Sequence, residues 1–228
     1  MINSEYIFDD IDVMRAIWID DDACEPSNLA KIVNFAIDEN ITIISAPPIA
    51  TGQIWPWIEG QKIEIFNRFD FIAGADAISK MSELSKNISM AFKNGASGVQ
   101  VFVQQQDMSD FVDMLTPVRD DLLFGHKFVL GMNIDEKIVP DWSSVFDAIN
   151  KIKPDSLMII AHGDTFDARS DFVGRIYSML NNWNVRVALW VCFGKNMLRV
   201  SQVLRLCQKM RPELVENMRV FIDSHSIV

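Results

Sequence analysis

The sequence predicts an α/β protein, a single (β/α)8 barrel of the TIM type occupying residues 1–228. Three observations carry this. Short apolar runs alternate with helically periodic segments along the whole chain, giving about eight strands, the count such a barrel needs. The runs are almost continuously apolar, as parallel strands covered on both faces require. Polar residues gather just downstream of the runs, at Asp20, Ser45, Asp70, Gln104, Asn133, His162, Lys195 and Asp223. The rival fold, a doubly wound open sheet, calls for a glycine-rich phosphate turn after the first strand, where this chain has Asp20-Asp21-Asp22.

The elements follow in order. Residues 13–19 read as the first strand, and Leu29, Ile32, Val33, Ala36 and Ile37 recur at helical spacing after Pro26. Residues 41–44 make the second strand, closed by Ser45 and Pro47-Pro48. The stretch with Trp55-Pro56-Trp57 leaves little room for a full second helix. Residues 62–72 make the third strand. A helix from Asp76 aligns Met81, Leu84, Ile88, Ala91 and Phe92 and ends at Gly95. Strands at 99–103, 128–134, 156–161 and 185–191 alternate with helices at 110–123, 142–152, 172–183 and 197–210. The last strand covers 219–222, and no residues remain for an eighth helix. The flank beside it is expected to be covered by residues 1–12 or by the second subunit of a homodimer.

Composition narrows the partners. A hydrophobic fraction of 49% with 23% charged residues is that of a globular protein with a full core. A net charge of −10 argues against nucleic acid and anionic membranes. The apolar runs are too short to span a bilayer, and the start of the sequence has no secretory pattern. Cys24, Cys192 and Cys207 are an odd set without metal or redox spacing, which fits the cytoplasm.

The third strand holds the most chemistry. Glu64, Phe66, Arg68 and Asp70 alternate and therefore share one face, which looks into the barrel with Arg68 and Asp70 near its downstream mouth. Active sites of this fold lie at that mouth. Asp70 and His162, the latter followed by Gly163-Asp164, are the candidate acid–base pair. Arg68, Lys195, Gly194, Asn133 and Gln104 are candidates for holding a small anionic substrate, with Gly194-Lys195-Asn196 at a helix start suited to phosphate. Lysines avoid strand interiors, Lys62 and Lys127 lying at upstream ends, which disfavours a Schiff-base mechanism.

The sequence therefore points to a lyase or isomerase acting by acid–base chemistry on a phosphorylated sugar or keto acid, with no organic cofactor. Two alternatives stay open. One is a divalent-metal hydrolase drawing on Asp20, Asp70, His162 and His225, although no spacing marks a metal site. The other is a non-catalytic binding or assembly barrel whose mouth is plugged by an ion pair from Arg68 to Glu64 or Asp70. His225 ranks below His162 because it lies close to the last residue of the sequence.

Overall fold

The computed structural model describes residues 14–71, 77–103, 108–122, 125–134, 141–161 and 169–228. Eight parallel strands close into a ring in chain order. They are β1 (Met14–Trp18), β2 (Ile43–Ala46), β3 (Glu64–Phe71), β4 (Gly98–Val103), β5 (Lys127–Asn133), β6 (Ser156–Ile160), β7 (Ala188–Cys192) and β8 (Arg219–Asp223). The ring closes where β1 lies on β8, with Met14 opposite Arg219 and Trp18 opposite Asp223. The TIM-type barrel expected from the sequence is the observed fold.

Helices α1 (Pro26–Asp38), α2 (Pro48–Ile58), α3 (Ala77–Lys93), α4 (Met108–Asp120), α5 (Trp142–Ile152), α6 (Arg169–Asn182) and α7 (Met197–Met210) cover the outside. After β8 the chain makes a 3-10 turn, Ser224–Ser226, and no eighth helix occurs among the described residues. The second helix corrects the sequence expectation, because α2 is 11 residues long. Proline at the first helical position lacks only an N–H that would go unbonded there, so Pro47-Pro48 starts a helix where it was read as a break. Pro56 falls in the last turn, and Glu59 N–H closes on Trp55 O at 3.1 Å. The covering role given to residues 1–12 falls outside the described residues. No helix among the described residues is long and apolar enough to cross a membrane.

The barrel is packed, not hollow. Phe66 meets Trp190 edge-on at 5.0 Å, Trp190 lies 5.4 Å from Phe221, and Trp18 meets Phe102 edge-on at 5.8 Å. Two glycines make room for these rings: a Cβ at Gly98 would lie 2.4 Å from Phe66, and one at Gly131 would lie 2.3 Å from Phe102. Gly131→Val is therefore expected to destabilise by about 1–3 kcal/mol or more through overpacking. Gly52→Ala, in α2 with nothing within 4 Å of the new methyl, is expected to stabilise by up to about 1 kcal/mol. Thermal melts of the two variants test this, and equal melting temperatures would contradict it.

The upstream ends of the strands carry charge as well. Glu64, Lys127 and Arg219 open β3, β5 and β8 on the inward face, and Lys127 Nζ donates to both Glu64 oxygens at 2.8 and 2.7 Å. Four residues of extended strand separate Glu64 from Arg68, roughly 13 Å, so the two charges share a face but stand at opposite ends of the barrel. The Arg68–Glu64 plug imagined for a non-catalytic barrel does not form.

Candidate functional site

At the downstream face the pleat of β3 brings Arg68 and Asp70 to the mouth, as expected. The Arg68 guanidinium lies 4.0 Å over the Trp18 ring. It donates to Ile19 O at 2.5 Å, to Ser45 O at 3.2 Å and to Ser45 Oγ at 3.3 Å, and it approaches Asp21 Oδ1 at 3.4 Å. Burial pushes its pKa down, and the carboxylates of Asp21 and Asp20 oppose that shift. The planar fork is thus engaged by the protein, bracing β3 against β1 and β2. Asp70 stands exposed at the rim without a hydrogen-bond or ion-pair partner among the described residues.

Asp70, Arg68, Trp18 and Phe102 line an open hollow of about 400 Å³. A second hollow, of about 710 Å³, is lined by Gly194, Lys195, Asn196, Ala161 and Asp223. Asp20 belongs to both. Lys195 is exposed, and Gly194 takes the left-handed backbone (φ 56) that glycine tolerates best. The amides at the start of α7 are less available than the sequence implied. Asn196 caps the helix by accepting the Arg199 N–H at 3.2 Å, and the Gly194 N–H is directed at Cys192, whose thiol pKa burial pushes far up. Asn133 ends β5 half-buried, on the same inward face as Gly131. His162 and Gln104 lie outside the described residues.

The group that sequence reasoning undervalued sits where the barrel closes. Asp20 follows β1, Asp223 ends β8, and Ser224 and His225 follow in the 3-10 turn. Ser224 Oγ accepts the Asp20 N–H at 3.1 Å and donates to Asp20 Oδ2 at 3.2 Å. Trp18 Nε1 donates to Asp20 Oδ1 at 3.1 Å. Asp223 is buried and accepts the His225 N–H at 2.8 Å, which folds the His225 ring back over the mouth. His225 Nε2 lies 3.2 Å from Asp22 Oδ1 and 3.7 Å from Asp20 Oδ2. Desolvation raises the Asp20 pKa first, and the neighbouring Asp223 carboxyl raises it further, against the pull of His225 and Trp18. Two facing carboxyls, one biased toward its protonated form, can hold and pass a proton; with His225 they also offer three ligand atoms within 4.8 Å of one another. The signal was available in the sequence: in a closed ring the first and last strands are neighbours, so the polar residues after them must meet.

No protein-family model matches the chain, and no curated protein matches it in sequence. Similar solved structures exist. One described as a deoxyribose-phosphate aldolase from Toxoplasma gondii ME49 superposes with a TM-score of 0.73 at 14% identity, covering 100% of this chain and 94% of its own. One described in the same way from Coccidioides immitis gives 0.68 at 9% identity, covering 94% and 82%. QR15, described as an aldolase, gives 0.65 at 10% identity, covering 100% and 95%. At these identities the likeness establishes the barrel fold.

Proposed function

We propose that the protein is a barrel lyase that makes or breaks a carbon–carbon bond beside a carbonyl in a small anionic substrate, a phosphorylated sugar or keto acid, by acid–base chemistry. The observation that carries this is the convergence of Asp20, Asp223 and His225 at the downstream mouth, between hollows that hold Asp70 on one side and Lys195 on the other. In a retro-aldol step a base removes the proton of the β-hydroxyl, the carbon–carbon bond breaks, and its electron pair becomes an enolate that is then protonated. Asp20, with Asp223 behind it, exchanges the proton, and Lys195 holds the anionic group. Asp70 and His162, which lies two residues beyond β6 in sequence, are further proton carriers within this proposal. The lyase assignment is favoured over an isomerase by the neighbours described as aldolases.

A Schiff-base route needs a lysine amine desolvated inside the barrel. Within the described strands the lysine present is Lys127, at the opposite end and bound to Glu64. The test is an aldol-cleavage assay over phosphorylated sugars and keto acids, run with and without borohydride, which would reduce any imine and leave substrate covalently attached. Turnover with no borohydride-dependent mass increase is the expected result. A trapped adduct on Lys195 would replace the acid–base mechanism, and no turnover on the whole panel would remove the lyase.

The same three ligand atoms favour one second reading. Asp20, Asp223 and His225 would hold a divalent ion that polarises a carbonyl or activates water, as in the metal-dependent alternative. Activity lost on chelation and restored by one divalent ion would select it; indifference to chelator would select metal-free proton transfer.

A further inference from the structure

We infer that the upstream end of the barrel is a second anion site, built by Arg219 and Arg186 for a phosphate dianion. A hollow of about 650 Å³ opens there, on the side away from the mouth, and its size is that of small-ligand pockets. Its charges sort into engaged and unengaged groups. Lys127 holds both oxygens of Glu64. Asp155 accepts the Phe128 N–H at 2.7 Å and faces Arg119 at 3.5 Å. Arg211 donates to Leu180 O at 3.1 Å and Trp183 O at 2.9 Å, with Glu213 at 3.9 Å.

Two guanidiniums are left. Arg186 is exposed on the rim and has no hydrogen-bond or ion-pair partner among the described residues. Arg219 opens β8 on the inward face, donates a single long bond from Nη1 to Met218 O at 3.3 Å, and has its Nε shielded from solvent with no acceptor. A buried donor without an acceptor is costly, and native structures generally supply one. Burial lowers the Arg219 pKa, which only Glu64 counteracts, and Glu64 is already on Lys127. Two uncompensated cations in one hollow, on a chain of net charge −10, call for a doubly charged partner. A carboxylate would neutralise one of them. A phosphate monoester or inorganic phosphate neutralises both, and its oxygens match the guanidinium fork.

The proposal is independent of the downstream site and is tested apart from it. The full chain is titrated calorimetrically with inorganic phosphate at pH 8, against sodium chloride of equal ionic strength, for the parent and for Arg186→Gln, Arg219→Gln and Lys195→Gln. The expected result is a phosphate-binding step that both arginine variants weaken roughly tenfold or more and that persists in Lys195→Gln, separate from any step that Lys195→Gln removes, which belongs to the downstream hollow. Equal binding by the parent and Arg186→Gln, or heat matched by chloride, overturns the site. Arg186 is exposed, so its variant carries the test even where Arg219→Gln fails to fold.

Discussion

Asp20→Asn and Asp223→Asn are each expected to lower turnover by about 10²–10⁴-fold, the usual contribution of a positioned proton carrier. The stability of Asp20→Asn should move the other way. Because burial and Asp223 raise the Asp20 pKa, the folded chain binds that proton more tightly than the unfolded chain does. The stabilisation linked to the proton is complete below the ordinary carboxyl pKa and fades as pH rises through the raised value. Above that raised value the parent has lost it, whereas asparagine stays uncharged and keeps an oxygen for Trp18 Nε1. The variant should melt at or above the parent's temperature at pH 7, with the difference shrinking in acid. Turnover and melting curves measured across pH on one preparation check both halves. Unchanged turnover would remove Asp20 from the chemistry, and a lower melting temperature at pH 7 would make it a structural group.

Arg68→Met is expected to be the most damaging single change at the mouth, costing about 3 kcal/mol. The carbonyl of Ile19 would lose its charged donor, at roughly 1–3 kcal/mol for a group left unsatisfied, Ser45 O would keep only the Ile19 N–H, and the contact with the Trp18 face would go too. For a chain of this length that corresponds to a fall of roughly 6–12 °C in Tm. Arg68→Lys should recover only part of the loss, because an ammonium cannot reach β1 and β2 together. A loss below about 1 kcal/mol for Arg68→Met would show that the bracing is incidental.

Much of this was legible in the sequence for a simple reason. Apolar runs alternating with helical periodicity fix the element order, and the period of two places Glu64, Phe66, Arg68 and Asp70 on one face without further information. What the sequence could not convey was distance along the barrel axis. Glu64 and Arg68 look like natural partners at four residues' separation, yet extended backbone carries them to opposite ends, where Lys127 and the Ile19 and Ser45 carbonyls are closer. Contacts between the first and last strands follow from ring closure, but no local motif marks them. His225 looked like a terminal residue of little weight, until Asp223 captured its N–H and Ser224 bridged to Asp20. The α2 segment misleads in another way: Pro47-Pro48 reads as punctuation, although proline at the first helical position is an opening signal.

The Asp20–Ser224 bonds join residues 204 positions apart. During synthesis from the amino end, the ribosome must release β8 before the Asp20–Ser224 group can exist at all, however much of the α/β framework has already condensed. In the proposed mechanism an incomplete nascent chain lacks its proton carrier, and the pairing that assembles the carrier is the same one that seals the ring.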